Sequence, residues 1–341
     1  MPGCSGSAEN SLPIRIENVH LRILRGSISS AIVLDLRRLR LLHALAGYGT
    51  VSAAAEALHL TGPAVSQQLA TLEREAGVRL LQRQGRRLTL TEAGRVLVAH
   101  TDVLLDQLAA AESDLLALRS EVAGTVRIGA FASAAATFVA SAWRTLDAEG
   151  GRLKLRLVGM EPEESLPALS RGEVEIAVAH SYDLLPFTVP PTCERHALMT
   201  DPVVVALPEA DPVALGGGRV ELGVLSDHAW LSVPSDTSCH QMLQRACGAS
   251  GFVPQLVAQT GDYAAVLALI AAGAGVTLMP LLGARNIPPG VVLRPLARPI
   301  NRHIFAITRH GGERHPALNV VLDRLRAATQ EFEVQAPSGG T

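Results

Sequence analysis

Lysine is almost missing from this chain. Lys154 is the single one among 30 basic residues, so nearly all positive charge sits on arginine. Arginine keeps its charge and offers a planar fork to phosphate, although a bias of genome composition produces the same pattern. Cysteine is scarce too. Cys4, Cys193, Cys239 and Cys247 are too few for a disulfide framework, and none forms a CxxC pair. The eleven histidines are scattered without HExxH or paired metal spacing, and GxSxG does not occur. Gly216-Gly217-Gly218 lacks the Lys-Ser/Thr of a phosphate loop and reads as a flexible turn. No catalytic residue, metal or cofactor is therefore expected, and hydrolase or transferase readings are weak. Arg15, Glu17, Arg22 and Arg25 interrupt any apolar run near the N-terminus, so the expected address is cytoplasmic. Tyr263 to Ala284 is uncharged and long enough to span a bilayer. Gly273, Gly275 and Pro280 break it, and it reads better as a buried helix, a turn and a buried strand.

What is present is a basic head on an acidic body. The 341 residues suggest two or three domains. Residues 34 to 95 hold nine arginines and five acids, whereas residues 121 to 341 hold 17 basic and 21 acidic residues. That asymmetry, hidden in a net charge of −2, fits one nucleic-acid face on the head.

Within the head, Val51 to Glu75 reads as two short helices joined by His59-Leu60-Thr61. Ala53, Ala54, Ala57 and Leu58 form a small-residue stripe that lets another helix cross closely. Thr61 or Gly62 can cap the second helix, and Pro63 sits where a missing N–H costs nothing. Val65, Leu69 and Leu72 face inward. Pro63, Ala64, Ser66, Gln67 and Thr71 face outward, a surface suited to a DNA major groove. An ordinary helical hairpin is the plainer alternative. Residues 77 to 91 follow as two short strands with a basic tip, where Arg79, Arg83, Arg86 and Arg87 can neutralise phosphates without reading sequence.

The run AAAEALHLTGPAVSQQLATLEREAGVRLLQR…LTLTEAG, within a gapless match over residues 34 to 91, resembles the DNA-binding head of LysR-type transcriptional regulators. The family often carries a polar residue at the place of Gly62 and an arginine at that of Gln67. The resemblance implies a winged helix-turn-helix head (34–91), a linker and dimerisation helix (92–122), and an α/β two-lobed, periplasmic-binding-protein-like sensor domain (124–331). It assigns residues 124–199 and 296–331 to lobe I and 200–295 to lobe II. Residues 1–33 match nothing in the family head and are expected to be a disordered extension or a mis-set start; 332–341 form a tail. The implied partners are near-palindromic double-stranded DNA, a small-molecule effector, a second copy or a dimer of dimers, and RNA polymerase.

Residue patterns support several of these expectations on their own. The spacing predicts a first helix over 35–46 with Arg37, Arg38 and Arg40 exposed. Thr91 caps a long helix in which Leu97, Thr101, Leu104, Leu108, Ala111, Leu115, Leu118 and Val122 alternate steps of four and three. That heptad seam argues for dimerisation through Leu97, Leu104, Leu108, Leu115 and Leu118; packing within its own domain is the alternative. Beyond Ala123-Gly124 the pattern changes to strand–helix alternation, with candidate strands at 125–130, 153–158, 174–179, 203–207, 230–233, 256–259, 276–279, 291–293 and 304–308. Candidate helices fall at 134–149, 164–171, 239–250, 263–272 and 317–330. Periodicity alone would also allow a single sheet.

Ligands of open α/β sheets collect at the carboxyl ends of strands. Three loops fit: Ala132, Ser133 and Ala134 after the first strand, Ser235 to Ser238 after the 230–233 strand, and Thr260 with its neighbours. The resemblance makes them effector-binding, with His180 and Met279 second-rank candidates. Simple helix capping is the competing role, at least as good for Asp236 and Asp262. Asp236 also disfavours a strongly anionic effector at its loop. The peroxide-sensing branch of the family carries a reactive cysteine near Cys239 and a resolving one about a helix further on. Here an intact helix would hold Cys239 and Cys247 about 12 Å apart, beyond the roughly 7 Å a disulfide tolerates. The rival readings are a thiol-based oxidant sensor using that pair, and a cytoplasmic solute-binding protein that leaves DNA alone.

Overall fold

The computed structural model describes residues 33–84, 87–117, 123–148, 150, 152–312 and 315–333. The chain divides into two compact units at Leu97/Val98.

The first unit packs α1 (Leu36–Tyr48), α2 (Val51–Ala57) and α3 (Gly62–Ala76) around Leu42, Ala54, Val65 and Leu72, all fully buried. Each helix begins on a polar cap. Asp35 accepts the N–H groups of Arg37 and Arg38, Thr50 that of Ala53, and Thr61 that of Ala64. Arg38 is half-buried rather than exposed as its neighbours Arg37 and Arg40 are. Its guanidinium donates to Gln68 Oε1 at 2.9 Å and pairs with Glu75, tying α1 to α3. The wing, β1 (Leu81–Gln84) and β2 (Arg87–Leu90), is an antiparallel pair in the register Leu81↔Leu90. Glu73 of α3 anchors it by accepting the N–H groups of Leu80 and Leu81 at 2.8 and 3.0 Å. Gly94, on α4 (Glu92–Ala117), is required by close approach: a Cβ there would lie 2.2 Å from the Leu80 carbonyl oxygen.

The second unit is α/β, built on two joined sheets. The first has β3 (Ala123–Ala130), β4 (Arg152–Gly159) and β5 (Ile176–Tyr182) in parallel, with β11 (Asn301–Arg309) antiparallel beside β5. Their crossovers are a helical stretch from α5 (Ala132–Ala134) through a π-turn (Ala135–Val139) to α6 (Ala140–Ala148), and then α7 (Pro162–Ser170). The strand β6 (Cys193–Pro208) runs through both sheets. Its first half, to Pro202, pairs with β11; from Val203 on it pairs with β9 (Thr277–Pro280) and β10 (Val291–Pro295). β7 (Ala229–Ser232) lies parallel to β8 (Gln255–Gln259) and joins β9 through Leu231 N–H to Val276 O at 2.8 Å. The remaining helices are α8 (Pro212–Leu215), α9 (Ser238–Ala249), α10 (Tyr263–Ala271) and α11 (Pro316–Glu333).

Two lobes result, linked by the crossing at Pro202–Val203 and by the return segment that leads from β10 into β11. The first-lobe core joins Ile128, Phe138, Val178 and Leu325; the second joins Val205, Trp230, Leu243 and Leu278. The candidate strand over 203–207 is thus the far half of an element twice that length. Its near half, CERHALMTDP, carries charge at every other position or so and gives no apolar run to find. Among the described residues no helix is long and apolar enough to cross a membrane, and the 263–284 stretch is α10, a turn and β9.

Candidate DNA-binding surface and effector cleft

On the head, Thr61, Pro63, Ser66 and Gln67 stand exposed on one side of α3, with Ala64 and Thr71 half-buried beside them. Thr71 is the least available of the candidates. Its hydroxyl donates to Gln67 O at 3.1 Å and accepts from Arg74 Nη2 at 2.7 Å. Arg74 and Ala70, both exposed, extend the outward face a further turn. Sequence reasoning passed over Arg74, though its i, i+3 spacing from Thr71 is the signal. Arg79 and Arg83 are exposed at the wing. Arg86 lies outside the described residues, and Arg87 begins β2 opposite Gln84. The turn between α2 and α3 places His59 at φ +54°, a left-handed conformation that is uncommon outside glycine.

Along α4, Leu104 and Leu115 are 50% and 65% exposed, Ala111 is exposed and Leu97 and Leu108 are half-buried. Leu118 lies outside the described residues, as does Val122. A row of exposed leucines at heptad spacing is apolar surface available to another helix.

Between the lobes the candidate loops meet, but the groups that dominate their contact are mostly ones the sequence did not single out. Arg302 of β11 is buried at 2% exposure. Its Nε and Nη2 donate to Asp201 Oδ2 at 3.0 and 2.6 Å, and Nη2 donates also to Ser133 Oγ at 3.0 Å. Asp201 Oδ1 accepts the N–H of Leu282, just after β9. One ion pair therefore touches the first candidate loop, the strand crossing and the second lobe. Burial opposes the Arg302 charge, but the Asp201 carboxylate outweighs it and raises the pKa further above its ordinary value. Ser133 is buried, and its carbonyl accepts from Thr137 Oγ1 at 2.6 Å inside the π-turn. Ala132 is exposed beside it, whereas Ala134 is fully buried in the first-lobe core.

His180, at 3% exposure, is packed edge-on between Phe131 and Tyr182, with ring centroids 4.7 and 5.3 Å away. Burial, helped by the Arg302 charge, holds it well below the ordinary histidine value, so it is neutral. Its Nδ1 has no hydrogen-bond partner among the described residues. Glu161 Oε2 approaches its Nε2 at 4.0 Å. Burial and then the charge of Glu163 raise the Glu161 carboxyl above its usual range.

Across the cleft, Thr237 caps α9, accepting from His240 N–H at 3.3 Å and donating to Pro234 O at 2.7 Å. The capping role given to Asp236 thus belongs to its neighbour, whereas Asp262 does cap α10, accepting from Ala264 N–H at 2.8 Å. Ser238 N–H donates to Glu163 Oε1 at 3.2 Å, a bond from one lobe to the other. Ser235 and Asp236 are exposed. Thr260 Oγ1 accepts the Asp262 N–H at 3.3 Å. Met279 is fully buried in the second-lobe core with Val204 and Leu267 and does not reach the cleft.

Cys239 is more than incidental. Its Sγ hydrogen-bonds Tyr263 Oη at 3.4 Å, and burial pushes the thiol up, only partly offset by that bond. Burial likewise keeps the Tyr182 and Tyr263 hydroxyls protonated. A cavity of about 10 Å³ beside Cys239, Tyr263 and Ser232 has room for one water. Cys247, fully buried in the second-lobe core, is pushed by burial to about 12. Both thiols sit on an intact α9 and stay protonated near neutrality.

Residues 36–95 match the family model described as "Bacterial regulatory helix-turn-helix protein, lysR family", and residues 119–330 match "LysR substrate binding domain". The RuBisCO operon transcriptional regulator of Allochromatium vinosum is 30% identical over 250 residues, 72% of this chain and 80% of that protein. The HTH-type transcriptional regulator AlsR of Bacillus subtilis is 28% identical over 255 residues, with the same shares, 72% and 80%. Full-length OxyR from Pseudomonas aeruginosa, solved as a cysteine-to-aspartate variant, superposes with a TM-score of 0.64 at 21% identity, covering 87% of this chain and 96% of that one. That likeness speaks for the fold alone. With both family models matched in order, on a winged head and a two-lobed α/β body, the chain belongs to the LysR family of DNA-binding transcriptional regulators with an effector-binding domain.

Proposed function

We propose that Ser66, Gln67 and Pro63 of α3 meet base edges while Thr61, Ala64 and Thr71 shape the helix against the groove. Arg79 and Arg83, with Arg86 and Arg87 at the wing, hold phosphates. The observation that carries this reading is the exposed polar side of α3 flanked by exposed arginines. Nothing in the packing of the head requires a polar stripe there. Leu97, Leu104, Leu108, Leu115 and Leu118 of α4 supply the seam between two copies, so that two heads address two half-sites. Regulation takes place in the cytoplasm, where the chain acts on DNA and not as a catalyst.

The effector enters between the lobes, against Ser133, His180 and the Ser235–Ser238 loop, with Ala132 and Thr260 at its rim. Arg302 is already neutralised by Asp201, while Glu161 and Glu163 bring negative charge to the same wall. The ligand this wall suits is neutral or cationic and rich in hydrogen bonds, since a buried anion would find no unspent cation. Its entry displaces the Glu163–Ser238 bond and reopens the packing of the lobes. It shifts the equilibrium only as far as it binds one arrangement better. The oxidant-sensing reading gains no support, because both thiols are held protonated and a thiolate is the reactive form.

The wing assignment is tested with Arg83→Ala in a salt titration of duplex binding. Each lost phosphate contact should flatten the log–log slope by about 0.9. An unchanged slope removes the wing from the interface.

A further inference from the structure

The second unit carries another recess, of about 830 Å³, that shares no lining residue with the small cavity beside Cys239. That size falls within the roughly 300–1,000 Å³ typical of small-molecule sites. Its walls come from the β6 crossing, the turn after β9, β10 and the end of α11. The apolar part is Leu281, Ile287 and Phe332, with Ile287 45% exposed at the recess. The charged part is Arg285, Arg294 and Asp201.

Those charges do not cancel within the recess. Asp201 is committed to Arg302 and to the Leu282 N–H. Arg294 donates through Nη2 to Ala214 O at 2.6 Å, and its buried Nε has no partner among the described residues. The Arg285 guanidinium lies over the Phe332 ring, 4.8 Å from its centroid, held flat by a cation–π contact. Two oriented guanidiniums beside an apolar wall suit a ligand with a charged oxyanion head and a hydrocarbon or aryl body. A further recess of about 530 Å³ makes the contrast: Glu221 and Arg298 face it together, so it has no preference of sign.

We propose that this recess is a second effector site, selective for amphipathic organic anions and distinct from the inter-lobe cleft. Carboxylates, sulfonates and phosphate esters share the required chemistry. Asp201 belongs to its wall and, through Arg302, reaches Ser133 in the cleft. An anion in the recess therefore bears on the same ion pair as an effector in the cleft. The two sites prefer opposite charge, which lets one regulator integrate two classes of metabolite.

The test uses the full chain and the fluorescent sulfonate 8-anilinonaphthalene-1-sulfonate, displaced by decanoate. One probe should bind per chain. Arg285→Gln and, independently, Ile287→Glu should each weaken it at least tenfold with an unchanged unfolding midpoint, while Ser133→Ala leaves it as it was. Decanoate should displace it, and decylamine should not. The proposal is overturned if neither substitution affects the probe, if Ser133→Ala abolishes binding, or if decylamine competes equally. It is also overturned if raising the protein concentration expels the probe, since a second copy would then fill the recess. None of these outcomes depends on DNA binding, so the head and the cleft assignments stand or fall separately.

Discussion

Replacing Arg302 by methionine removes a buried cation and leaves its partner behind. The side chains of Arg302 and Asp201 are each 2% exposed, and two of the three bonds that Arg302 makes end on Asp201 Oδ2. Methionine retains much of the apolar stem, so the cost is electrostatic: Asp201 keeps only the Leu282 N–H. Removing one member of a buried pair costs about 3–5 kcal/mol, whereas removing both charges is often neutral. Both tryptophans, Trp143 and Trp230, lie in the unit that starts at Val98. Urea unfolding followed by their fluorescence therefore reads that unit and not the head. With a denaturant slope of about 2 kcal/mol per M, Arg302→Met should lower the midpoint by about 2 M. Asp201→Asn/Arg302→Met should recover most of the loss, because asparagine still accepts from Leu282. A loss under about 1 kcal/mol, or a double variant no better than the single, would refute the view that this ion pair holds the crossing together.

Two further outcomes follow from the same geometry. His180 stays neutral in the folded state at pH values where an unfolded histidine takes up a proton. Stability should therefore fall as pH drops below about 6.5, by up to about 1.4 kcal/mol per pH unit. His180→Asn should flatten that slope in urea titrations at pH 5 to 7, and an unchanged slope would assign the acid sensitivity elsewhere. At φ +54° the His59 side chain strains the helix-turn-helix turn. His59→Gly should stabilise the head by about 0.5–1 kcal/mol, read as a rise of its own melting transition by circular dichroism; a fall would mean the side chain has a contact worth more than the strain.

The head was almost wholly legible because each of its rules is local. Thr61 before Gly-Pro, the Val65–Leu69–Leu72 stripe and the paired wing strands all act within a few residues. Strand and helix positions in the body were legible for the same reason, down to α10 and β9 in a stretch that resembles a membrane span by composition. The cleft was less so. Ser133 and His180 could be placed at strand ends, but Arg302, Asp201, Tyr182 and Glu163 act through partners 75 to 169 residues away. One local clue was available for Arg302: it shares the alternating face of Ile304 and Ala306 and so points inward. Met279 shows the converse error, since a strand end lies close to a cleft and still buries its side chain in the core. The anchoring of Arg38 by Gln68 and Glu75 also needed the fold, because a charged residue on a first helix is otherwise solvated.

The account rests on α3 reading bases, and Gln67→Ala tests it most directly. The measurement is the affinity of full-length protein for a duplex recovered by its own selection, against random duplex of equal length, at fixed salt. If Gln67 contacts a base edge, the variant should lose about 1–3 kcal/mol on the selected duplex only, with random-duplex affinity and the salt slope unchanged. Equal loss on both duplexes, or no loss on either, would contradict the assignment of that face to the groove.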